Sequence, residues 1–189
     1  MAEQENKSQE ETDLNKLIIY GAVYGKADVT LKCRSLINTD THSLQTDASN
    51  KVFGDSWLNN KKSLVVIAGY GGKVATYIAE EGNSLSIFQD GFKGVAPSNN
   101  YGAMNILGGS YGLKDVTNQV QALYGTYTQS GVKVPVFVQG ANNTAFGDGW
   151  PNVVKTLVTV FRLGPADPTN KYGGNVYVSI TEENGTLTV

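Results

Sequence analysis

The sequence predicts an all-β protein made of two homologous sandwich-like or barrel-like repeats in a pseudo-two-fold relation, with little helix. Three observations carry that reading: an abundance of turn residues, strand-type alternation, and an internal duplication. The 189 residues include 22 glycines and 10 tyrosines, with frequent Val, Thr and Asn, which suits many short strands joined by tight turns. Alternation is clear in Leu64 and Val66 against Val65 and Ile67, in Val74, Thr76 and Ile78, and again in Val176, Val178 and Ile180.

The duplication is the most informative feature. Tyr24-Gly25-Lys26-Ala27-Asp28-Val29-Thr30 returns as Tyr111-Gly112-Leu113-Lys114-Asp115-Val116-Thr117, and Leu36 then falls on Leu123. Asn50-Lys51-Val52-Phe53-Gly54-Asp55-Ser56-Trp57 returns as Asn143-Thr144-Ala145-Phe146-Gly147-Asp148-Gly149-Trp150, and Lys62-Ser63-Leu64 matches Lys155-Thr156-Leu157. Both copies close alike, with Glu80-Glu81-Gly82-Asn83 against Glu182-Glu183-Asn184-Gly185. The offset grows from 87 to 93 to 102, so the second copy holds about six extra residues near 124–135 and nine near 165–174, where loops are expected.

These matches divide the chain into an acidic tail over 1–16, a β repeat over 17–87, a linker over 88–104 and a second β repeat over 105–189. Each repeat reads as five or six strands. The exception to the strand pattern is Val29, Cys33 and Leu36, with Val116, Val120 and Leu123 beside them in the second copy. Their i, i+4, i+7 spacing suggests a short helix capped by Asp28 or Asp115, with a bulged strand as the competing reading. A unit of about 70 residues buries only about 60% of its unfolded surface, so the copies are expected to share an interface.

Charge and composition remove several function classes. Fifteen Lys and Arg against 17 Asp and Glu give a net charge of −2, without the basic excess that a nucleic-acid partner rewards. The first 13 residues carry five acids and one lysine, so the body itself is near +2. A single cysteine, Cys33, and a single histidine, His42, leave little for thiol, histidine or transition-metal chemistry. Cys33 matches Val120 and reads as a small hydrophobe, and His42 lies in a polar turn. Gly108-Gly109-Ser110-Tyr111-Gly112 fits Gly-x-Ser-x-Gly, but its serine matches Val23 and no histidine follows it, so it reads as strand. No catalytic residue, metal ligand or cofactor motif is expected. The lack of a basic start with an apolar run, and of any long apolar stretch, predicts a cytoplasmic protein with no membrane span. Asn142 and Asn184 then carry no glycan, and Asn184-Gly185 reads as a hairpin turn.

The repeated Phe-Gly-Asp-x-Trp element is the candidate site. Its structural reading has Phe53 and Phe146 as anchors, Gly54 and Gly147 at positive φ, Asp55 and Asp148 closing Asx turns, and the indoles covering the core edge. Its functional reading has Trp57 and Trp150 stacking on a sugar, with Asn50, Asp55, Asn143 and Asp148 taking hydroxyls. Glu80-Glu81 and Glu182-Glu183 read as surface charges flanking turns.

The order Tyr-Gly, Asp-Val-Thr, Leu, Phe-Gly-Asp, Lys-x-Leu, aromatic-Gly and Glu-x-x-x-Leu resembles the β-rich C-terminal domain of the DnaJ homologue subfamily C member 11 type, over Tyr24–Ile87 and Tyr111–Val189. That resemblance implies a non-catalytic domain used for association. The J domain and the helical region of such proteins have no counterpart here.

The functional expectation is a non-enzymatic, lectin-like binding protein with two equivalent loop sites, its partners being glycans or other copies of itself. The alternative is a self-assembling structural protein that associates through sheet edges and the N-terminal arm.

Overall fold

The computed structural model describes residues 15–97, 104–123, 125–129, 132–136, 138–163 and 174–188. The tail up to residue 14 and the nine-residue insertion near 165–174, apart from residue 174, lie outside the described residues. The fold is all-β, with short helices between antiparallel strands. The first half runs β1 (Ile18–Tyr24), β2 (Ala27–Asp28), α1 (Thr30–Ser35), β3 (Leu44–Asp47), α2 (Asn50–Phe53), β4 (Ser63–Tyr70), β5 (Lys73–Glu80) and β6 (Ser84–Ile87). The second runs β7 (Met104–Tyr111), β8 (Lys114–Asp115), α3 (Thr117–Leu123), β9 (Gly125–Gln129), β10 (Val132–Val136), β11 (Val138–Gly140), α4 (Asn143–Phe146), β12 (Thr156–Leu163), β13 (Asn175–Glu182) and β14 (Thr186–Thr188).

Each half forms one four-stranded sheet, ordered β2-β1-β4-β5 and β8-β7-β12-β13, and one two-stranded sheet, β3-β6 and β11-β14. The extra residues near 124–135 form a hairpin, β9-β10, where a loop was expected. The linker assigned to 88–104 also enters the sheets. Val95 makes an antiparallel bridge to Val74 on the outer edge of β5, with bonds of 2.7 and 2.9 Å, and Met104 opens β7.

Of the four central strands, β4 and β7 are buried along their whole length, and their neighbours explain why. Leu64, Val66 and Ala68 face a core completed by Cys33 of α1 and by Leu44, Leu85 and Ile87 of the small sheet. Leu157 and Phe161 face the matching core with Val116, Val120 and Phe146. The intervening residues Val65 and Ile67, Val158 and Val160, with Val23, Val74 and Leu107, meet in a third core between the two sheets. Each half is thus a sheet under a mixed layer of helix and short strands, and the two halves stack through their remaining faces. Fully burying one Val, Ile or Leu contributes about 1.5–3 kcal/mol, so this shared core stabilises what neither half completes alone.

The stacking is reciprocal. A Cβ placed on Gly21 would lie 2.7 Å from Val160 Cγ2 and 2.8 Å from Val178 Cγ2, and one on Gly108 would lie 2.7 Å from both Ile67 Cγ1 and Thr76 Oγ1. Gly21 and Gly108 are matched in the duplication, as are Ile67 with Val160 and Thr76 with Val178. A bulge precedes each glycine, at Tyr20 in β1 and at Leu107 in β7, and turns that side chain toward the shared core. The pairing has the form of a two-fold contact within one chain.

The helices form as their spacing suggests, with one change at the cap. Val29 is the N-cap of α1 and supplies no side-chain bond; Asp28 instead accepts from the Thr30 amide at 2.9 Å, as Asp115 does from Thr117. Cys33 and Val120 are fully buried, whereas Leu123 is largely exposed while Leu36 packs on its core. Gly21→Ala is expected to destabilise the protein by about 1–3 kcal/mol through overpacking. In urea unfolding, Gly21→Ala with Val160→Ala should lose less than the sum of the two single losses. Strict additivity would contradict the contact.

Candidate functional site

Both Phe-Gly-Asp-x-Trp loops are built around a buried lysine. Each follows a single helical turn, α2 or α4, that ends at a glycine with positive φ, 80° at Gly54 and 77° at Gly147. Asn142 caps α4 by accepting from the Ala145 amide at 2.9 Å. The aromatic anchors pack on the tyrosine that ends the first strand of their half: Phe53 lies 5.4 Å from Tyr24 and Phe146 lies 5.5 Å from Tyr111 between ring centroids. Asp55 and Asp148 accept from the amides of Trp57 and Trp150, both at 3.2 Å, which closes the expected Asx turns.

Lys62 and Lys155 are each only 3% exposed. A buried ammonium is costly unless fixed oxygens replace its water. Lys62 Nζ donates to the carbonyls of Asn60 at 2.9 Å and Trp57 at 3.3 Å, and pairs with Asp55 at 3.0 Å and Glu81 at 3.5 Å. Lys155 Nζ repeats the set with Val153 at 2.9 Å, Trp150 at 3.4 Å, Asp148 at 3.1 Å and Glu183 at 3.4 Å. The stem of each lysine is covered by a turn glycine. A Cβ on Gly25 or Gly112, both near φ +60°, would come within about 3.0 Å of it. The repeated Asp, Trp, Lys and second Glu thus belong to one bonded network in each half, with the Tyr-Gly turn packed on the lysine stem.

The network corrects the reading of the glutamates. Glu81 and Glu183 are partly buried, and each also accepts from the backbone amide of its lysine, at 3.3 and 3.1 Å. Glu80, also partly buried, pairs with Lys61 at 3.4 Å, and the exposed Glu182 pairs across the two halves with Lys26 at 2.6 Å. Asp55 is held below the usual carboxylate range, first by its hydrogen bond from Lys62. Burial raises the Tyr24 and Tyr111 phenols, and Glu81 and Glu183 beside them add to the rise.

Of the six residues singled out in the sequence, each aspartate is bonded to the tryptophan of its own loop, and the asparagines open the helical turn before it. Asn50 accepts from the Tyr24 hydroxyl at 3.0 Å, while Asn143 is exposed on the first turn of α4. The tryptophans differ. Trp150 is 8% exposed, so its ring is covered, and the equivalence assumed for the two loops fails there. Trp57 is half-buried, and the Lys26 ammonium lies 4.5 Å from the centre of its ring. Leu113 stands where Lys26 does in the first copy, so that cation is absent from the second loop.

The remaining candidates are internal. Ser110 lies wholly buried within β7. Cys33 is buried, and burial first, with Asp28 second, pushes its thiol up to about 12. His42 holds a positive φ in its turn, and its carbonyl accepts from the Tyr70 hydroxyl. Asn184 also has positive φ in the turn before β14. Among the described residues no three His, Cys, Asp or Glu side chains gather to hold a metal ion, and no helix is long and apolar enough to cross a membrane. Set against family models, curated proteins and solved structures, the chain matches none.

Lys155→Met should lower stability by about 3 kcal/mol, because it leaves two carboxylates and two carbonyls without their shared donor; an unchanged denaturation midpoint would show that the ammonium is dispensable. The Asp55 bond has a definite pH sense. Its folded pKa is depressed, so its stabilisation is complete above the ordinary carboxylate range and fades as pH falls through the folded value. The Trp57 indole N–H resonance is therefore expected to stay fixed from neutral pH through the ordinary carboxylate range and to shift only below it, and Asp55→Asn should abolish that late shift.

Proposed function

We propose that this chain is a non-enzymatic binding protein of lectin-like kind, with its glycan contact carried by the first Phe-Gly-Asp-x-Trp loop. The observation that supports this reading is the half-buried Trp57 indole, less covered than its counterpart Trp150, on a loop whose carbonyls and carboxylate are fixed by Lys62. A ring held in place loses little freedom on binding, and an indole face suits the apolar face of a sugar. Asp55 on the loop and Asn50 on the helical turn before it are both exposed, with oxygens that accept hydroxyl donors. The second loop repeats the lysine contacts but has a covered ring, and its place in this reading is to stabilise its own half.

On a glycan array, the intact protein is expected to bind a subset of sugars, and Trp57→Ala to reduce that binding at least about tenfold, the scale of one lost aromatic contact. Trp150→Ala should leave the bound sugars the same while costing about 3 kcal/mol or more of stability, as a truncated buried aromatic does. Absence of any glycan signal from the unaltered protein rejects the reading, as does equal loss from both variants at equal stability.

A further inference from the structure

We infer that Lys26, clamped by Glu182 of the second half, is a displaceable cover on the Trp57 indole, which a ligand must move aside to reach the ring. This rests on the glycan reading of that loop and supplies its regulation. The Lys26 ammonium stands over the ring, 4.5 Å from its centre, and pairs with the Glu182 carboxylate at 2.6 Å. An indole face under an ammonium cannot also carry a sugar, so the free protein keeps its own contact closed, and apparent affinity falls with the fraction of molecules closed.

Local structure brings the lysine there. Tyr24 pairs with Ala27, so Gly25 and Lys26 alone make the turn between β1 and β2, with Gly25 at φ 62°. The turn is tied to the Trp57 loop through Ser56, whose hydroxyl donates to the Tyr24 carbonyl at 2.6 Å and accepts from the Lys26 amide at 3.4 Å. The base of the lysine is therefore fixed beside the tryptophan, and the part free to move is its flexible four-carbon stem. The Lys26 and Glu182 side chains are 35% and 50% exposed, so the pair is open to water. An exposed ion pair and an exposed ammonium–ring contact are each weak, enough to close the ring at rest and little enough for a ligand to displace.

The duplication isolates the device. Leu113 stands in place of Lys26 and Gly149 in place of Ser56, so the second loop has neither the ammonium nor the hydroxyl tie at those positions. The carboxylate differs in turn. Glu80, the counterpart of Glu182, pairs with Lys61 of its own half, whereas Val154 stands where Lys61 does and Glu182 takes its cation from the first half. Three differences between the copies thus meet at one indole. It is the half-buried one, for Trp150 is 8% exposed and sheltered without them.

The test reads the cover first without a sugar and then with one, on the full chain. Acrylamide quenching of indole fluorescence should increase in Lys26→Ala and in Glu182→Gln, and the increase should vanish when Trp57→Phe is added. Lys26→Arg should quench like the parent, since a guanidinium also lies on indole faces, and so should Lys61→Ala, which breaks the matching pair at Glu80. Salt at about 1 M should raise the parent toward Lys26→Ala and leave that variant unchanged. On the glycan array Lys26→Ala should hold the same sugars about fivefold more tightly, the scale of one exposed ion pair with one exposed ring contact. A sugar that binds the parent while quenching stays unchanged in both Lys26→Ala and Glu182→Gln overturns the cover alone, as does greater quenching without a gain in affinity. A blank array for every form rejects the glycan reading and the gate together.

Discussion

Strands that are apolar on both faces cannot rest with one face in water, and that constraint organises this molecule. Leu64, Val66 and Ala68 are covered by α1 and the small sheet of their own half, but Val65 and Ile67 have nothing local to cover them. The second sheet meets the same need from the other side with Val158 and Val160. Gly21 and Gly108 set how near the sheets come, because each removes a side chain at the point where a branched residue of the opposite sheet arrives. The bulges at Tyr20 and Leu107 belong to the same solution, adding an apolar side chain to the contact without lengthening the strand.

The lysine networks answer a second constraint. A loop that leaves a helical turn through a glycine and crosses the end of a sheet exposes carbonyls that no strand satisfies. Lys62 and Lys155 bring three donors each to that place and take their countercharge from the loop aspartate and from the glutamate that closes the half. One side chain thereby joins the turn after the first strand, the loop, and the end of the sheet. The same bonds hold the Trp57 backbone, while the Lys26 ammonium lies over its ring.

The fold class and the position of α1 and α3 were legible because hydrophobic alternation and the i, i+4, i+7 spacing report directly on burial, whereas the single turns α2 and α4 are too short to show a period and read as loop. The shared core was legible only as a need for an interface. Val65 and Ile67 alternate with Leu64 and Val66, and no local pattern says that both sets are covered. The hairpin β9-β10 was missed because an insertion relative to the other copy reads as a loop. The buried lysines were missed because charge was taken to mean solvent, although Lys62 and Lys155 matched across the copies between apolar strands and each copy closed on a Glu-Glu pair. The unequal tryptophans were legible in part from Lys26 against Leu113, but the covering of Trp150 depends on neighbours far away in sequence.

The bridge from Val95 to Val74 has an effect beyond its two bonds. In the four-stranded sheets the long outer strand β5 carries this bridge, and the opposite borders, β2 and β8, are two residues long. A chain that folds part of itself against its own sheet border leaves that border less open to the edge-to-edge pairing from which fibres grow.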